Sequence, residues 1–116
     1  MQDEVIFREG GGQLTAYVKC EIDHHVAGRI RTRIDRMLFE RRPQCLVLDF
    51  SEVRFMDSSG IALILGRVET AAAVGARVRL TGLSDTLMKL VRLSGIEKIR
   101  GLSLKLDNVV REGNER

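Results

Sequence analysis

At 116 residues with 44 % hydrophobic side chains, the chain has the length of one domain and buries about two thirds of its unfolded surface on folding, so it needs neither a disulfide nor a metal as a staple. Its net charge of +3 is mildly basic and its aromatics, at 4 %, are too few for a base-stacking platform, which sets nucleic acid aside as a partner. The start Met1-Gln2-Asp3-Glu4 is acidic and no apolar run is long enough for a signal peptide or a membrane span, so a soluble, cytoplasmic protein with no membrane partner is expected.

Strands and helices alternate along the chain with short joints. Val5 to Arg8 reads as an edge strand, Gly10-Gly11-Gly12 as a turn too short for a phosphate loop, and Leu14 to Lys19 as a second strand with Leu14, Ala16 and Val18 on one face. Cys20 and Cys45 have no CxxC spacing and no His or Cys cluster beside them; they read as small buried hydrophobes in a reducing compartment. Asp23 is placed to cap a helix from His24 to about Arg41, whose apolar side is Ala27, Ile30, Ile34, Met37 and Leu38. Its arginines, from Arg29 to Arg42, fall on the other side and read as a solvated basic face. Pro43 closes the joint, and Cys45 to Phe50 is the short apolar run of a covered strand.

The next segment is the most informative. In Phe55-Met56-Asp57-Ser58-Ser59-Gly60-Ile61, two adjacent hydroxyls sit where a buried strand hands over to an apolar helix that runs to Gly75. One serine suffices to cap that helix, and Ser59 is the better placed; Ser58, one residue further out, is then left free in an exposed turn. Gly66, inside the helix, reads either as a point of close backbone approach or as a tolerated glycine. Val78 to Thr81 is the next strand, Ser84 caps a third helix ended by Gly95, and a short strand follows near Ile99 or from Leu102 to Leu106. Residues 107–116 read as a short terminal helix or a frayed tail. With no repeat and no linker, residues 1–116 form a single α/β domain: a mixed, mostly parallel sheet of about five strands with three to four helices packed on it.

Enzyme chemistry finds no inventory here. His24 and His25 are neighbours that leave a helix in different directions, and Ser58 has no His–Asp system in view. Asp49, Glu52 and Asp57 are too scattered to define a metal site, and neither GxxxxGK[ST] nor GxGxxG occurs, so no cofactor or metal is expected.

Four segments carry a resemblance. Glu21-Ile22-Asp23-His24-His25, Phe55-Met56-Asp57-Ser58-Ser59-Gly60-Ile61, Ile64-Leu65-Gly66-Arg67 and Leu90-Val91-Arg92-Leu93-Ser94-Gly95 stand in the order found in the anti-sigma factor antagonists, a branch of the STAS domains, and the chain resembles that family over nearly its whole length. The resemblance implies a compact domain, monomeric when free, that binds a serine kinase acting as an anti-sigma factor, releases the sigma factor, and is switched off when the kinase, using ATP, phosphorylates Ser58. It implies a partner surface around Asp23, His24, Asp57, Ser58, Ser59 and Gly60. Cys20 departs from the pattern, which usually has glycine there. A free STAS adaptor docking to a transporter or signalling assembly is the alternative within the same fold.

Overall fold

The structure, a computed structural model, describes residues 4–105, so the expected terminal helix or tail at 107–116 lies outside the described residues. The order of elements is β1 (Val5–Gly10), β2 (Gln13–Val18), α1 (His24–Arg41), β3 (Cys45–Asp49), α2 (Ser58–Ala73), β4 (Arg77–Thr81), α3 (Asp85–Ser94), a short 3₁₀ turn (Ile96–Lys98) and β5 (Leu102–Leu104). The five strands form one sheet in sequence order, with β1 antiparallel to β2 and every later pair parallel. This is the mixed, mostly parallel α/β architecture that the alternation of elements predicts.

Local chemistry accounts for the turns. The β1–β2 hairpin closes on Gly11 and Gly12 at φ of 60° and 82°, a pair of left-handed residues that glycine adopts without a Cβ penalty. Gly10, expected in the turn, instead pairs with Gln13 as the last rung of the ladder. Gly75 and Gly95 take φ of 79° and 82° just past α2 and α3, as the positions after the last helical residues require. Leu14, Ala16 and Val18 of β2, Leu46 and Leu48 of β3, and Val78 and Leu80 of β4 all point to one side, where they meet Ile30, Ile34 and Leu38 of α1 and Leu63, Ile64 and Val68 of α2 in a single core. The helices thus cover one face of the sheet.

The arginines of α1 are all exposed, as a solvated basic face requires, and three of them also reach β1: Arg29 Nη2 lies 2.6 Å from Glu4 Oε2, Arg33 stacks 5.8 Å over the Phe7 ring, and Arg41 Nε is 3.7 Å from Glu9 Oε1. One reading is settled between its alternatives. Gly66 does not mark a close approach, because a Cβ built there meets no atom within 4 Å. The residue that joins the helices is its neighbour Arg67, only 4 % exposed, whose Nε lies 2.9 Å from Asp35 Oδ1 of α1. Burial pushes the Arg67 pKa down, and the Asp35 carboxylate opposes that shift.

Candidate functional site

Both helices that matter to the site begin at the same place. Ile22 and Met56 form an isolated parallel bridge, in which Ile22 N donates to Phe55 O at 3.0 Å and Asp57 N donates to Ile22 O at 3.2 Å. Both side chains are buried, at 0 % and 4 % exposed, so the two segments are pinned together from below by apolar contact and from above by backbone bonds. Each bridge residue is followed by an aspartate in extended conformation that caps a helix. Asp23 Oδ1 accepts from Val26 N at 2.9 Å at the start of α1, and Asp57 Oδ1 accepts from Ser59 N at 2.8 Å at the start of α2.

This corrects the expectation that Ser59 caps α2. Aspartate and serine are near-equal caps, and here the carboxylate two residues earlier takes the role, which makes Ser58 and Ser59 the first two helical residues. The cap therefore costs neither serine its hydroxyl. Ser58 is exposed and Ser59 half-buried.

Gly60 is the tightest point of the site. A Cβ there would fall 2.5 Å from Met56 Sδ and 2.9 Å from Met56 Cβ, so only glycine lets the first turn of α2 sit down on the bridge. The loop feeding Met56 is also held: Phe50 N donates to Thr81 O at 2.9 Å, Val53 N to Phe50 O at 3.0 Å, and Asp49 Oδ1 accepts from Ser51 N and Ser51 Oγ at 2.9 and 2.6 Å. Gly82, at φ 80°, backs Ser51 so closely that a Cβ would stand 2.6 Å from Ser51 N.

Of the sequence-predicted residues, the structure brings all six, Asp23, His24, Asp57, Ser58, Ser59 and Gly60, to one edge. His24 and Ser59 face each other across a groove of about 290 Å³ between α1 and α2, lined also by Ala27, Gly28, Arg31, Ala62 and Leu63. Gly28 and Ala62 went unread in the sequence, and Arg31 was read only as part of the basic face, because a groove between two helices leaves no trace in the periodicity of either. Phe55, 53 % exposed beside the bridge, was also missed; a large aromatic just before an Asp-Ser-Ser turn was the available signal. His24 and His25 are both exposed, their rings edge to face at 5.6 Å. The Asp23 carboxyl is held below its ordinary range, first by the Val26 backbone N–H. Burial pushes the half-buried Cys20 thiol up, so it is a poor thiolate. Among the described residues no group of three or more His, Cys, Asp or Glu is placed to hold a metal ion, and no helix is long and apolar enough to cross a membrane.

The site is thus two helix starts bridged at a strand end, with an exposed hydroxyl, Ser58, on the second of them. The STAS domain model matches residues 5–112, and the chain belongs to the STAS domain family. It is 36 % identical over 76 residues to the anti-sigma F factor antagonist of Lysinibacillus sphaericus, a match that spans 66 % of this chain and 65 % of that protein. It is 31 % identical over 88 residues to the anti-sigma F factor antagonist of Paenibacillus polymyxa, covering 76 % of this chain and 75 % of the relative. Among solved structures, the Bacillus cell fate determinant SpoIIAA in its phosphorylated form superposes with a TM-score of 0.66 at 25 % identity, covering 94 % of this chain and 97 % of the other.

Proposed function

We propose that this chain is an anti-sigma factor antagonist. With Ser58 unmodified it binds a serine kinase acting as an anti-sigma factor and frees the sigma factor; phosphate on Ser58 ends that binding. It works by contact rather than catalysis, with ATP the kinase's substrate. The relatives that share its family carry the antagonist's name, and one solved relative is described in a phosphorylated form. The observation that carries the reading is the position of Ser58: exposed, first in α2, and spared from capping by Asp57.

The same geometry explains how a phosphate switches binding without unfolding the domain. A phosphoserine adds about −1.5 to −2 charge, and a helix N-terminus tolerates an anion, worth roughly 0.3 to 1 kcal/mol. The added charge sits beside Asp57 and on the edge that also carries Asp23. A partner surface fitted to the neutral hydroxyl must desolvate that charge next to two carboxylates, and a mismatch of about 2.7 kcal/mol is about a hundredfold in affinity.

Incubation with the cognate kinase and ATP tests this. Mass spectrometry is expected to find one phosphate, on Ser58; Ser58→Ala is expected to bind the kinase and stay unmodified, and Ser59→Ala to be phosphorylated still. Phosphate on Ser59, or full modification of Ser58→Ala, overturns the assignment.

A further inference from the structure

Among the described residues, no helix lies on the second face of the sheet. Strands β2 to β5 run parallel to one another, and parallel sheets occur almost only with both faces covered. Here all the helices' buried side chains meet one face in a single core. Across the other face the register aligns Arg8, Thr15, Val47, Arg79 and Ser103, one from each strand, in one row. Val47 in the middle of this row is apolar and 8 % exposed.

The charge on this face is one-sided. Arg8, Arg77, Arg79 and Lys105 stand on it, and among the described residues none of them is in an ion pair. The one carboxylate in the same strand rows, Asp49, is already turned to Ser51. Arg79 lines two shallow depressions, of about 550 and 310 Å³, that flank it along the sheet.

We propose that this second face docks an acidic, extended segment of a partner protein, whose carboxylates meet Arg77, Arg79 and Lys105 while its backbone crosses the neutral strip of Thr15 and Val47. Charge complementarity selects the occupant. A single-stranded nucleic acid needs stacking rings, and Tyr17 alone supplies one among the strand residues of this face. A lipid surface needs apolar anchors, and among the described residues Ile6, 39 % exposed, is the one large aliphatic side chain presented there. The surface lies across the sheet from Ser58, so it is open whether or not the kinase-facing edge is occupied, and it does not depend on the reading of that edge.

The test is a titration of the isotope-labelled full chain with a synthetic peptide alternating aspartate and serine, followed by amide chemical shifts. Shifts are expected at Thr15, Val47, Arg79 and Ser103, with Ser58 and Ser59 unmoved. The double variant Arg77→Glu/Arg79→Glu is expected to weaken binding at least about tenfold, and Arg33→Glu/Arg36→Glu on α1 by less than about twofold. Ser58→Asp should leave the titration unchanged, which separates this surface from the phosphorylation site. Should the double reversal fail to fold, the neutral pair Arg79→Gln/Lys105→Gln carries the same test, with a loss of at least about threefold expected. Shifts mapping to α1, equal loss in both double variants, tighter binding of an oligothymidine or of phosphatidylserine vesicles at equal charge, or contacts from residues 106–116 to Val47 would each overturn the proposal.

Discussion

The two helix starts share a plan and differ in what lies behind them. Ile22-Asp23-His24-His25 and Met56-Asp57-Ser58-Ser59 both run from a buried bridge residue through a capping aspartate to two polar residues. Behind the first, the opening turns of α1 from His24 to Arg29 are exposed or half-buried and tied down at the surface by Arg29 on Glu4, and burial begins only at Ile30. Behind the second, α2 is anchored by burial: Gly60 on Met56, then Leu63, Ile64 and Arg67 inside the core. A start held by burial has little freedom to shift when a charge arrives at its tip. On the proposed reading, a phosphate on Ser58 would therefore change the surface that a partner meets, not the packing beneath it.

The largest effect that tests this contrast falls on Arg67. Its guanidinium is the one buried charged group among the described residues, and it joins α2 to Asp35 of α1. Arg67→Ala leaves the half-buried Asp35 carboxylate without its cation and is expected to lower stability by about 3 kcal/mol, the lower end for breaking a buried pair because Asp35 keeps some solvent. Arg67→Met with Asp35→Leu should recover most of that loss in urea denaturation. If the single variant costs less than the cutting of an exposed pair such as Arg41→Ala, α2 is not anchored as described.

Next in size is the switch itself. Stoichiometric phosphorylation, or less completely Ser58→Asp, is expected to reduce kinase affinity by about a hundredfold while far-ultraviolet ellipticity and the melting temperature hardly move. A clear fall in melting temperature on phosphorylation would mean that the tip and the core of α2 are coupled after all.

The glycines of the two helices separate the starts more finely. Gly60→Ala drives a Cβ into Met56 and is expected to cost about 2 kcal/mol, within the range for overpacking. Gly28→Ala on α1 meets no atom within 4 Å and is expected to gain roughly 0.5 to 1 kcal/mol. Equal signs for the two substitutions in thermal unfolding would erase the distinction drawn between a buried and an exposed helix start.

How much of this was legible follows from range along the chain. Asp23, Ser84, Gly75 and Gly95 act within a few residues of themselves, so capping chemistry placed α1 and α3 and the ends of α2 and α3 from sequence. The Asp-Ser-Ser-Gly turn was legible for the same reason, yet its register slipped, because aspartate and serine compete almost evenly for the cap and only the fold decides between them. The Ile22–Met56 bridge, the groove that brings Arg31 to Ser59, and the Arg67–Asp35 pair join residues more than thirty apart in sequence or on different helices. Arg67 in particular looks like any polar residue closing an apolar helix, and its burial becomes evident only once α1 lies across it.

The smallest expected effect compares the two caps in acid. The Asp23 carboxyl has its pKa lowered in the folded state by the Val26 N–H, so the stability it contributes is present above the unfolded carboxylate value, about 3.9, and is lost as pH falls through the lowered folded value. Asp23→Asn keeps a capping side chain but carries no titrating proton. The variant is expected to be slightly less stable than the unmodified chain near neutrality and to lose less stability between about pH 4 and pH 2, so the gap in urea midpoint should close as acid is added. Glu4, lowered first by its hydrogen bond from Arg29, acts in the same direction and is controlled by repeating the series in Glu4→Gln. An acid limb of identical slope with and without Asp23 would show that the α1 cap contributes nothing through its charge, and that its aspartate matters at this edge for what it presents to a partner.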